Sequence, residues 1–105
     1  MNVRFAPHEV RFRITRDELG QLCSGRALVM HVNLPGQHTF QASVATNRFG
    51  TWRLDSDPTG LWLAVPRSQL DVFADGVPVA EGLQHQFELA NGGGLSLTFE
   101  VDVRG

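Results

Sequence analysis

The chain has 105 residues, 42% of them hydrophobic and 19% charged, and a formal net charge of −2. That length predicts one domain over residues 1–105, with a core large enough to stand without disulfides or metal. The acidic balance disfavours nucleic acid as a partner, and no apolar run approaches the roughly 20 residues of a membrane helix. All nine basic residues are arginine and there is no tyrosine, which removes lysine Schiff-base chemistry and a tyrosine general acid. One cysteine cannot build an intramolecular disulfide, and "MNVRFAPHEVRFR" has no apolar segment of signal-peptide type, so the expectation is cytoplasmic.

In chain order, Val10, Phe12 and Ile14 alternate with Arg11 and Arg13 and predict a strand; Val3 and Phe5 start the same rhythm before Pro7. Thr15 and Glu18 stand at capping-box spacing, Leu19, Leu22 and Cys23 form a helical stripe, and Gly25 suits its stop. "RALVMHVNL" and "QHTFQASVAT" read as a hairpin turning at Pro35-Gly36, and "TWRLD" and "GLWLAV" as another turning through "SDPT". "PRSQLDVFADG" predicts a second helix, with Pro66 in its first turn and Leu70, Phe73 and Ala74 facing inward. "LQHQFELA" and "LSLTFEVDVR" close the chain through "NGGG", and Leu95, Leu97, Phe99, Val101 and Val103 alternate throughout. The class is α+β: a mostly antiparallel sheet, or a small partly closed barrel, with two short helices.

An offset of 51 residues lays Phe12 on Leu63, Ile14 on Val65, Arg16 on Arg67 and Gly25 on Gly76. It also lays Leu19, Leu22 and Cys23 on Leu70, Phe73 and Ala74, suggesting half-repeats 9–50 and 60–105 in a pseudo-two-fold strand–helix–hairpin duplication. Convergent patterning would produce much of the same match. The layout is similar to that of swapped-hairpin and cradle-loop barrels, some of which bind DNA; the similarity is one of pattern alone.

Among chemistry-bearing residues, a two-residue turn at Pro35-Gly36 would put His31, Asn33 and His38 on one face of a hairpin, where His31 and His38 could approach a metal. A one-residue slip would separate them. His85 falls in phase with Leu83 and Phe87 and is expected on the core side, as is Cys23. Asp55, Asp57, Asp71 and Asp75 show no shared-site spacing, and no phosphate loop, metalloprotease, nucleophile-elbow or C-x-x-C motif is present. Trp62 lies out of phase with Leu61, Leu63 and Val65, so its ring points to the opposite face, where Arg53 across a hairpin can stack on it. Arg11 and Arg13 mark a second candidate surface, unless Glu100 and Asp102 on a neighbouring strand pair with them.

The stretch "VRFRITRDELGQLCSGR" resembles a family of small uncharacterised bacterial proteins whose N-termini read like "LRFRLTRSEV". The resemblance continues through "LWLAVPRSQLDVFADGVPV" and "LSLTFEVDV"; that family carries a cysteine-bearing tail, which this chain lacks. It has no assigned activity, so the resemblance implies a small bacterial domain and no chemistry.

The residues therefore point to a non-enzymatic binding or protein-interaction module with a protein or small-molecule partner, no cofactor and no membrane. Arg53 and Trp62, then Arg11 and Arg13, are its candidate binding residues. The alternatives are a histidine-hairpin metal protein at His31 and His38, or a dimeric nucleic-acid binder using the N-terminal arginines. Exposed strand edges make a homodimer an open expectation.

Overall fold

In the computed structural model, which describes residues 1–76 and 82–102, every strand expected from alternation forms. Val103 and Arg104, at the end of the "LSLTFEVDVR" stretch, lie outside the described residues. The order is β1 (Asn2–Ala6), β2 (Glu9–Thr15), α1 (Arg16–Cys23), β3 (Leu28–Leu34), β4 (His38–Asn47), β5 (Arg53–Asp57), β6 (Gly60–Pro66), α2 (Arg67–Gly76), β7 (Leu83–Glu88) and β8 (Gly94–Asp102).

These strands form two four-stranded sheets, β1-β2-β8-β7 and β3-β4-β6-β5, rather than a closed barrel. The outer pairs of each sheet are antiparallel hairpins, but the central pairs, β2 with β8 and β4 with β6, are parallel. Each sheet is thus mixed, and each combines a hairpin from the first half of the chain with one from the second. Shifting β1 and β2 by 51 residues reproduces the bounds of β5 and β6, and α1 then starts where α2 does. The matching bounds begin one strand further back than Val10, and each stretch runs in the order hairpin, helix, hairpin.

Alternation sets the core. Val10, Phe12 and Ile14 of β2 pair with Leu97, Phe99 and Val101 of β8, while Leu61, Leu63 and Val65 of β6 pair with Ala42, Val44 and Thr46 of β4. Leu19 and Leu22 from α1 and Leu70 and Phe73 from α2 join the same cluster, with Phe73 edge-on to Phe99 at 6.1 Å. Fully burying side chains of this size stabilises the fold by about 1.5–3 kcal/mol each before entropy is counted.

The helices are short, and their ends are held by specific contacts. Thr15 accepts from the Glu18 N–H at 3.1 Å while Glu18 accepts from the Thr15 N–H at 2.9 Å, completing the capping box. At the other end, Gly25 takes φ 94°, and Arg26 N–H reaches back to the Gln21 carbonyl, a Schellman closure. Gly76, its counterpart at the offset, is instead the last residue of α2. Arg67, the first residue of α2, donates to the Cys23 carbonyl and so places a cation at the C-terminal end of α1.

Two further contacts are equivalent under the offset. The Met1 amino group donates to Glu18 at 3.0 Å, and Trp52 Nε1 donates to Gln69 at 3.1 Å, each tying the residue before a hairpin to the third position of a helix. Burial by itself would raise the Glu18 pKa, but the Thr15 hydrogen bonds and the Met1 amino group outweigh it and hold the carboxyl below its ordinary range. A depressed folded-state value means this stabilisation is present above the unfolded glutamate range and is lost as pH falls through the folded pKa. Replacing Glu18 with Ala is expected to cost about 1 kcal/mol in urea unfolding at neutral pH, with a smaller difference from wild type in acid.

Candidate functional site

Both helices follow the C-terminal ends of β2 and β6, so they close one end of the space between the sheets. At the opposite end the sheets leave an apolar cleft of about 430 Å³. Phe5 of β1, Val10 of β2, Phe87 of β7 and Leu95 of β8 line one side; Phe40 of β4, Leu54 of β5 and Leu61 of β6 line the other. Phe5 is 62% exposed, and Leu89, just past β7, also stands open at the mouth. Large apolar side chains that gather at one opening, rather than singly, are the feature that most needs an explanation in a chain this small.

The mouth carries Asp57 and Glu88, and no arginine is among the lining residues. Asp57 accepts from both the Oγ1 (2.6 Å) and the N–H (2.7 Å) of Thr59 in the β5–β6 turn. Those bonds, the hydroxyl's first, hold its carboxyl below the usual aspartate range, so it stays ionised near neutral pH. Asp57 caps the turn that "SDPT" predicts; its second place, on the rim of an apolar opening, depends on how the sheets meet.

The outer faces are different. On the first sheet, Arg4, Arg11, Thr98 and Gln84 lie in one cross-strand row and Ala6, Glu9, Ser96 and Gln86 in the next. A polar trough of about 480 Å³ runs along Glu9, Arg11, Gln84, Gln86, Ser96 and Thr98. Arg11 bonds Glu9 at 3.2 Å, and Arg13 sits opposite Glu100 and bonds it at 3.0 Å, so carboxylates neutralise both of these candidate arginines.

On the second sheet the ring of Trp62 does point away from Leu61, Leu63 and Val65, and it is half-buried. Its cross-strand neighbours are Asp55 and Ser43, whereas Arg53 pairs with Ala64 and binds Asp55 at 2.9 Å. The ring lies over Gly60: a β-carbon there would meet its edge at 3.1 Å and the Gln41 carbonyl at 2.5 Å.

The histidine pair needs a correction. Pro35, Gly36 and Gln37 make a three-residue turn, with Gly36 at φ 90° and Gln37 at φ 62°. The register therefore sets Leu34 opposite His38 and His31 opposite Gln41, one residue from the arrangement a shared site requires. Because side chains alternate along a strand, His31 and His38 lie on opposite faces and cannot share a metal. Among the described residues no group of three or more His, Cys, Asp and Glu side chains is placed to hold one.

The other two reactive-looking residues face inward. His85 stacks on Trp52 at 5.6 Å and meets Phe87 edge-on at 4.7 Å. Cys23 packs against the core, and burial pushes its thiol pKa up, helped by Asp71 and Asp75 and only partly offset by Arg67.

With this geometry in place, comparison with family models matches residues 1–104 to a family of unknown function, DUF7009. The chain belongs to that family. No curated protein matches it. The DUF7009 assignment covers both halves of the pseudo-two-fold, so the cleft and both outer faces fall within the matched region.

Gly60→Ala tests the packing of the second outer face. The added methyl has the Gln41 backbone in its way, so a loss of about 1–3 kcal/mol in thermal or urea unfolding is expected. A change in tryptophan fluorescence should accompany it as the Trp62 ring is displaced.

Proposed function

We propose that this DUF7009 chain is a non-enzymatic binding module that takes an apolar segment of a protein partner, flanked by basic residues, into the cleft between its sheets. The cleft itself is the observation that carries the reading: Phe5, Phe40, Leu54, Phe87, Leu89 and Leu95 converge on an opening of about 430 Å³. That volume lies within the range of ligand sites, and removing such surface from water is worth about 25 cal/mol per Å². The lining provides contact area for packing, while the polar groups beside it, Ser56, Asp57 and Glu88, stand towards the rim strands. Two carboxylates, with no arginine among the described lining residues, favour a cationic flank on the ligand and disfavour an anionic one. A bacterial, cytoplasmic setting is part of the proposal; an unpaired cysteine suits a reducing compartment. No helix among the described residues is long and apolar enough to cross a membrane.

The test is a titration with two labelled synthetic peptides that share a Phe/Leu-rich centre, one flanked by arginine and one by glutamate. The arginine-flanked peptide is expected to bind at least about tenfold more tightly. Phe5→Asp and Leu89→Asp, both at exposed positions that leave the core intact, are expected to weaken it by a similar factor. Equal affinity for the two peptides, or binding that survives both substitutions, would rule the cleft out as the site.

A further inference from the structure

Among the described residues no strand covers the outer edges β1, β7, β3 and β5 of the two sheets, and these four edges are not alike. β1 carries Arg4, β5 carries Arg53, Asp55 and Asp57, and β7 carries Glu88, charges that discourage edge-to-edge pairing. β3 reads Leu-Val-Met-His-Val-Asn-Leu, without Asp, Glu, Lys, Arg or proline. It is also open on both faces: Val29 is 52% exposed on the outer side, and Val32 and Leu34 are 42% and 38% exposed on the inner side. A seven-residue edge of this composition offers a free row of backbone N–H and C=O groups flanked by apolar side chains.

We infer that a second copy of this chain pairs with β3, antiparallel about a two-fold axis at His31, joining two four-stranded sheets into one continuous sheet. The strand's own pattern argues for a second copy as the occupant. Antiparallel pairing about His31 sets Leu28 opposite Leu34 and Met30 opposite Val32 on the inner face, apolar against apolar throughout. On the outer face it sets Val29 opposite Asn33 and His31 opposite itself, with no like charges brought together. The same operation on β1 would set Arg4 against Arg4, and on β5 Asp55 against Asp55, both destabilising. A two-fold contact must be self-complementary, and β3 meets that condition where β1 and β5 do not. The pairing uses the backbone side away from β4, so the cleft stays open and the inference holds whether or not a peptide binds there.

The experiment is light scattering on the full chain after size exclusion, over a series of protein concentrations. Wild type is expected to move from 11.6 kDa towards twice that mass as concentration rises. His31→Lys places two ammonium groups face to face on the axis, and Val29→Lys charges the same edge. Each is expected to stay at single mass across the series, with an unchanged circular dichroism spectrum and melting temperature. Gln84→Lys, which charges the β7 edge, is expected to dimerise like wild type. A wild-type chain that remains at single mass throughout would overturn the inference. So would a dimer that survives both β3 substitutions, or one lost only on Gln84→Lys.

Discussion

Two parallel registers hold this structure together: β2 beside β8, and β4 beside β6. Neither half of the chain can complete a sheet alone, because α1 carries the chain out of one sheet and into the other before its second hairpin forms. The first sheet exists only when residues 9–15 meet residues 96–102, across most of the chain. Closing such a loop costs entropy before any contact repays it, so pairing of this kind favours slow, cooperative formation over independent folding of the halves. The payoff is burial at the centre. The central strands hold Phe12 and Phe99 side by side at 0% exposure, and the hairpin partners take the less buried edge positions.

The helices then act as struts at one end only. The Schellman closure of α1, the Arg67 bond to the Cys23 carbonyl, and the paired ties from Met1 and Trp52 all lie on the side where β2 and β6 finish. Nothing equivalent caps the other end among the described residues, and there the inner faces of both sheets end in phenylalanine and leucine. The cleft is thus a consequence of the same topology that builds the core: a hairpin–helix–hairpin unit supplies a plug at one end of the space it encloses. Its acidic rim comes from Asp57, whose turn hydrogen bonds from Thr59 need no cleft, and from Glu88 at the end of β7.

The parts that could be read from sequence were those set locally. The alternation of Val10, Phe12 and Ile14, the Thr15–Glu18 box and the Gly25 stop all depend on neighbours within a turn or two, and each stands in the structure as expected. A period of two is the same in parallel and antiparallel strands, so the parallel centre of each sheet left no mark in the pattern. The β3–β4 register turned on one residue: Gln37 adopts the left-handed conformation usually left to glycine, lengthening the turn and separating His31 from His38. Pro7 and Pro58 match at the 51-residue offset and occupy equivalent hairpin turns, which extends the repeat back to β1 and β5. The cleft could not be read in advance, because Phe5, Leu54 and Phe87 look like any strand residues until two sheets that share no local sequence are brought together.

The 51-residue match in side-chain character is closer in the interior than on the outer faces, and the reason is physical. Equivalent core positions need only be apolar and of suitable volume, so Phe12 and Leu63, or Leu22 and Phe73, can exchange roles with modest repacking. The outer faces are under no such constraint. At the same offset Arg11 stands against Trp62, Glu9 against Gly60 and Arg4 against Asp55, so one face became a polar trough and the other a tryptophan folded over glycine. The two further edges diverge as well, β3 without charge and β7 ending in Glu88. A chain whose two halves fold alike therefore presents four unlike surfaces. Each outer face belongs to one sheet, whereas the cleft is lined by both, with Phe5, Val10, Phe87 and Leu95 from the first and Phe40, Leu54 and Leu61 from the second.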